Sequence, residues 1–238
     1  MSGRKRNQSR KAKTWKSGQR HRVSSFPTET TDTKSSSEVP VTSENVFLDA
    51  DVAYLLGMMV VRGTIHIEGD ITRVLIDFPY RNLSAQGLEG TELRFDQDTS
   101  IRLSLDSVRK RFTQMLEVNV DIESRENEVT LKAVFTKNTI AIRNLKRLFN
   151  GKLGYHEFEI HPAIFDAPPD VQKEFVRGIA DTCASPAPSD NYMNVAHRIV
   201  LQVQFGNWKL PLQICRLLQT KLDVPVHNIL WGHPNLRA

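Results

Sequence analysis

Two hydrophobic periods alternate along the chain, and each change from one to the other marks an element boundary. The run Ala53-Tyr-Leu-Leu-Gly57-Met-Met-Val-Val61 is apolar on nearly every side and follows Asp49-Ala-Asp51. This predicts a buried helix with carboxylates at the positive end of its dipole. Apolar and polar residues then alternate, with Ile65 and Ile67 before the Glu68-Gly69-Asp70 turn and Val74, Ile76 and Phe78 after it. That is the pattern of a hairpin with one buried face. Ile101, Leu105, Val108, Phe112 and Met115 return at helical spacing, with Arg109, Lys110 and Arg111 between them. A second alternating pair follows: Val118, Val120 and Ile122, then Val129, Leu131, Ala133 and Phe135 beyond Glu126-Asn127. Asn138 is the expected cap of a helix carrying Ile142, Leu145 and Leu148, which Asn150-Gly151 stops. The order is αββαββα.

The pattern then starts again. Beyond Pro168-Pro169, Asp170 is the expected cap of a helix from Val171 to about Thr182. A turn-rich stretch, Ser185 to Asn194, leads to a strand with Val195, His197, Ile199, Leu201 and Val203 on one face. Pro211 opens a helix with Leu212, Ile214, Cys215, Leu217 and Leu218, and a short strand from Val224 to Trp231 follows. The expected fold class is α+β: two αββαββα-type repeats around a pair of packed helices, the second repeat incomplete. The expected divisions are a disordered basic tail and linker over residues 1–45, a first repeat over 46–150, a linker over 151–169 and a truncated second repeat over 170–238.

Charge alters the picture once it is divided along the chain. The formal net charge is +5, yet residues 1–45 hold ten Lys and Arg against Glu29, Asp32, Glu38 and Glu44, which leaves the remainder at −1. The basicity belongs to the tail, which has too few apolar residues to offset the entropy of ordering. Such an arm attracts phosphate backbones without reading sequence. Its composition also suits a solubilising tail or an organelle transit peptide. No apolar run is long enough to span a membrane, and no secretory signal is evident, so an intracellular protein of the cytoplasm or nucleoid is expected. Cys183 and Cys215 form no zinc spacing or disulfide framework and read as reduced thiols.

The two helices carry a shared pattern, Leu55-Leu-Gly-Met-Met-Val-Val-Arg-Gly63 and Val176-Arg-Gly-Ile-Ala-Asp-Thr-Cys-Ala184. It resembles the nine-residue signature of the LAGLIDADG homing endonucleases, and the resemblance extends over about Val46 to Trp231. It implies two motif helices packed at a pseudo-twofold axis, two sheets forming a saddle on DNA, and one carboxylate from each helix at a shared divalent metal. Gly57 and Gly178 then fall where the helices approach most closely, and Asp181 falls at a sixth position whose acid is structural. The eighth position, that of the catalytic acid, is occupied by Arg62 and Cys183. Metal-assisted phosphodiester hydrolysis needs hard anionic oxygen ligands. An arginine repels a cation, and a single cysteine makes no metal site. The resemblance therefore implies a scaffold without catalytic residues, metal or cofactor, in which Arg62 turns a former metal site into a phosphate contact.

Arg198, Gln202 and Gln204 lie on the outward face of the expected second-repeat strand, and Arg and Gln side chains suit base edges in a major groove. With Arg62, Arg73 and Lys132 they make up the candidate nucleic-acid-binding set, for DNA or RNA. The first sheet argues against a saddle: Glu68, Asp77, Asp121 and Glu123 share its outer face with Arg73 and Lys132 and would repel phosphate. His156 and His161 face opposite sides of an extended segment and make no metal cluster. Asp96 and Asp98 read as turn and helix-start residues. Two other functions suit the sequence. One is a Mg²⁺-dependent endonuclease or nickase with a rearranged site using Asp181 or Glu68. The other is a protein-interaction module, homo-oligomeric or not, whose open strand edge carries Ile229, Leu230 and Trp231.

Overall fold

The computed structural model describes residues 46–79, 97–136, 138–187, 198–204, 206–227 and 229. The basic tail, Asp96, Val195, His197, Leu230 and Trp231 lie outside them. Helix α1, Ala50–Arg62, opens on Asp49, whose side chain accepts a hydrogen bond from the Val52 amide. Every residue from Val52 to Val61 is buried, as its uniformly apolar composition predicts. Strands β1, Gly63–Glu68, and β2, Ile71–Pro79, follow with a two-residue turn in which Gly69 has a φ of 58°. Positive φ at the first turn position matches the right-handed twist of the strands, and glycine reaches it without steric cost.

After helix α2, Gln97–Leu116, come β3, Val120–Ser124, β4, Glu128–Phe135, and helix α3, Ile140–Leu148. The four strands form an antiparallel sheet in the order β1-β2-β4-β3. Its inner face carries Ile65, Val74, Ile76, Phe78, Val120, Leu131, Ala133 and Phe135, all buried. Leu55 of α1 and Phe112 and Leu116 of α2 meet this face at a common interior space. Two expectations change in detail. Ile67 is 45% exposed because the strand end near the turn runs past the helices that cover Ile65. The α3 cap is Thr139, not Asn138; its side chain accepts from the Ile142 amide, at a spacing that Asn138 lies one residue too early to meet.

Residues 151–169 are more than a linker. Phe158, Ile160 and Ile164 are buried, Phe158 stacks on Phe149 at 4.0 Å, and Thr64 bridges Gly154 beside β1. The short helix α4, Pro162–Asp166, is capped by His161, whose Nδ1 accepts from the Ala163 amide. Helix α5, Pro169–Cys183, starts earlier than expected, because proline needs no amide partner in a first turn; Asp170 lies inside the helix and gives it no cap. Strand β5, Ala184–Ala187, takes in the start of the expected turn, whose residues 188–194 lie outside the described ones, and pairs with β6, Arg198–Leu201. Helix α6 spans Lys209–Lys221, with Pro211 in its first turn. Of the strand expected from Val224 to Trp231, residues 224–227 and 229 are described and none of them is in a strand, and Val224 is exposed. Among the described residues no helix is long and apolar enough to cross a membrane.

Candidate functional site

The packing of α1 on α5 organises the site. A Cβ on Gly57 would lie 2.0 Å from the Phe175 carbonyl oxygen, and one on Gly178 would lie 2.1 Å from the Tyr54 carbonyl oxygen. The two contacts are reciprocal: Gly57 corresponds to Gly178, and Tyr54 to Phe175. The same correspondence carries Arg62 onto Cys183 and Gly63 onto Ala184, so each helix passes directly into the first strand of a hairpin. Strand register extends it. Gly63 pairs with Ile76 and His66 with Arg73, while Ala184 pairs with Leu201 and Ala187 with Arg198. Arg73 and Arg198 therefore occupy equivalent places in the two hairpins, as do Asp77 and Gln202.

At the C-terminal end of the pair, Arg62 and Cys183 are neighbours that influence each other electrostatically. Burial pulls the Arg62 guanidinium below its ordinary range, against the opposing influence of Cys183, Tyr155, Asp77 and Glu128. Its Nε is buried with no hydrogen-bond partner among the described residues. The Cys183 thiol is pushed up to about 12 by burial, although Arg62 and the Gln202 backbone act in the other direction. Gln202 comes to this end because its amide donates to the Cys183 carbonyl at 2.9 Å. Here the chain has left β6, so Gln202 and Gln204 stand beyond the strand, Gln202 exposed and Gln204 half-buried.

Arg73, Lys132, Asp77 and Asp181 are occupied by internal partners, and the side chain of Arg198 lies outside what the structure describes. Arg73 donates to Glu68 at 2.6 Å, and Lys132 to Glu123 at 2.7 Å. Asp77 accepts from the Thr130 hydroxyl at 2.7 Å and lies 3.9 Å from Arg125. The outer sheet face is thus a mixed-charge network with its cations already paired. Asp181 is held in a different network at the helix interface. It accepts from the Tyr54 hydroxyl at 2.8 Å and lies 3.6 Å from Arg177. Burial, then Asp181, raises the Tyr54 phenol above its ordinary range. Arg111 of α2 stands over the Tyr54 ring at 4.4 Å and bridges Asp51 at 2.5 Å and Glu174 at 3.1 Å. Among the described residues no group of three His, Cys, Asp or Glu could hold a metal ion.

One surface was missed by reasoning from motifs. The sequence has no acidic residue between Glu128 and Glu157, and α3 lies within that stretch. Its outer side carries Arg143 and Arg147, both exposed, beside the exposed Phe47 and Ile140. A local charge count would have found it; the tail's larger excess concealed it.

This geometry defines an α+β protein built on two glycine-crossed helices, each feeding a strand hairpin. No family model matches the chain, and no curated protein matches it. Among solved structures it is similar to a variant of I-DmoI in complex with its target DNA and magnesium, at 16% identity and a TM-score of 0.37, over 72% of this chain and 76% of that one. It is similar to I-DmoI with DNA and manganese at the same identity and TM-score, over 72% of this chain and 77% of that one. At these values the likeness carries no argument about activity.

Proposed function

We propose that this is a nucleic-acid-binding protein on a LAGLIDADG-like scaffold, with no hydrolytic site at the ends of its paired helices. The observation that carries the reading is the pairing of Arg62 with Cys183 at the two equivalent helix ends. A guanidinium disfavours a divalent cation, and a thiol held protonated to about 12 supplies no thiolate at neutral pH. An oxyanion, in contrast, would stabilise the charge of the half-buried Arg62 guanidinium, which burial disfavours. Gln202 at the same end adds an exposed amide able to pair with a base or a phosphate. The test is duplex binding by the full chain and by Arg62→Gln, with Mg²⁺ present and products inspected for cutting. Weaker binding by the variant without cleavage by either protein supports the reading. Unchanged affinity, or cleavage lost in Asp181→Asn, would replace it.

A protein-interaction reading rests on Ile199, which is 76% exposed although the equivalent Val74 is buried. A monomer mass that does not change with concentration would count against self-association through this hairpin.

A further inference from the structure

Phe47, Ile140, Arg143, Asn144 and Arg147 line a shallow open groove of about 270 Å³ on the outer side of α3. The four helical residues are spaced to fall on one stripe, opposite the buried Ile142, Leu145 and Leu148. Phe47 is fixed by its backbone: its amide donates to Asn144 Oδ1 at 2.9 Å, and Asn144 Nδ2 donates to its carbonyl at 2.7 Å. The ring nevertheless stays 63% exposed, and Ile140 beside it is 77% exposed. Two specific hydrogen bonds therefore hold an aromatic side chain in water, where it gains little from burial.

Charge selects the occupant. Arg143 and Arg147 have no carboxylate partner among the described residues, unlike Arg73, Arg111, Lys132, Lys152 and Arg177. No acid sits in the first turn of α3, so the positive end of its dipole is uncompensated. Arginines one turn apart have Cβ atoms roughly 5–6 Å apart, close enough to reach adjacent phosphates of a flexible strand. A cationic groove with an exposed ring is the combination that holds unpaired bases. An acidic peptide would satisfy the arginines but would cover Phe47 only if an aromatic residue fell in register with its acids, whereas every nucleotide brings a planar base with its phosphate.

We propose that the α3 groove binds single-stranded nucleic acid, with one base stacked on Phe47 and consecutive phosphates held by Arg143 and Arg147. This goes beyond the duplex contact at Arg62 and uses a different surface. The test measures anisotropy of a labelled oligothymidylate with the full chain, Phe47→Ala, Phe47→Trp and the double variant Arg143→Ala/Arg147→Ala. Loss of one stacked base weakens binding roughly 5- to 150-fold in Phe47→Ala, whereas Phe47→Trp retains it. The arginine double variant weakens it and flattens the salt dependence. Duplex binding that depends on Arg62 stays unchanged in Phe47→Ala, so failure of one proposal is distinguishable from failure of the other. Because the ring is exposed, unfolding midpoints of all variants should match wild type. Equal affinity of wild type and Phe47→Ala for the oligonucleotide overturns the proposal, and so does displacement of it by polyglutamate at matched charge.

Discussion

A methyl group at Gly57 or Gly178 would have to enter space already held by the other helix's backbone. Backbone cannot rotate away as a side chain can, so α1 and α5 would have to separate, loosening every contact along the crossing. Gly57→Ala and Gly178→Ala should each cost about 3 kcal/mol or more, the upper end of overpacking penalties. Gly69→Ala makes the contrast. Nothing lies within 4 Å of its added Cβ, so only the strain of a φ of 58° remains, roughly 1–2 kcal/mol. Urea unfolding of the three variants would separate close packing from backbone strain, and equal losses would refute the crossing. Cys183 gives a second residue-scale prediction, with a definite sign. Its folded value of about 12 lies above its ordinary 9.0, so its contribution is complete below about pH 9 and is lost as pH rises towards 12. Between about pH 7 and about pH 10, wild type should lose about 1 kcal/mol more stability than Cys183→Ala.

At the level of elements, α2 is fastened to both motif helices through one side chain. Arg111 reaches Asp51 on α1 and Glu174 on α5 while covering the Tyr54 ring. Burial opposes its charge, yet the two carboxylates more than offset this and raise its pKa. Arg111→Ala would remove the cation that Asp51 and Glu174 share, leaving Glu174 with Arg177, and should cost about 1 kcal/mol. Arg109→Ala, which removes a pairing among the described residues with Asp106 on its own helix alone, should cost under about 0.5 kcal/mol. Thermal unfolding of the two variants tests that difference. The same comparison explains what the sequence disclosed. Alternation and helical spacing located α1, both first-repeat hairpins, α2 and α3, because those elements bury one face or all faces. β5 was not legible: Ala184-Ser-Pro-Ala187 has no alternation, and it is a strand because α5 delivers it beside β6. Arg111, read as one of three cations between apolar positions, showed no sign of joining three helices, since its partners lie about sixty residues away in each direction. The two hairpins should also differ in dynamics. β2 is flanked by strands on both sides, whereas among the described residues β6 has β5 alone, so amides of Ser185 and Val200 should exchange much faster than those of Leu75 and Ile76.

For the molecule as a whole, the distribution of charge matters more than its total. The glycine pair and the Arg62–Cys183 position were legible because a motif spacing specified them. The pairing of Arg73 with Glu68 and of Lys132 with Glu123 was foreshadowed only as mixed charge on one face, since register determines which neighbours meet. With those cations engaged, Arg62 and the α3 groove are the phosphate contacts proposed for the body, while ten of the chain's 32 Lys and Arg lie in residues 1–45. Each phosphate neutralised on duplex DNA contributes about 0.9 to the slope of log affinity against log salt. Deleting residues 1–45 should therefore lower the slope by several units while leaving the effect of Arg62→Gln on affinity in place. If that substitution matters only when the tail is present, the tail delivers the nucleic acid and the helix ends merely receive it. If deletion leaves the slope unchanged, the body's own cations release the counterions, and the paired arginines and lysines of the sheet must exchange their carboxylates for phosphate on binding.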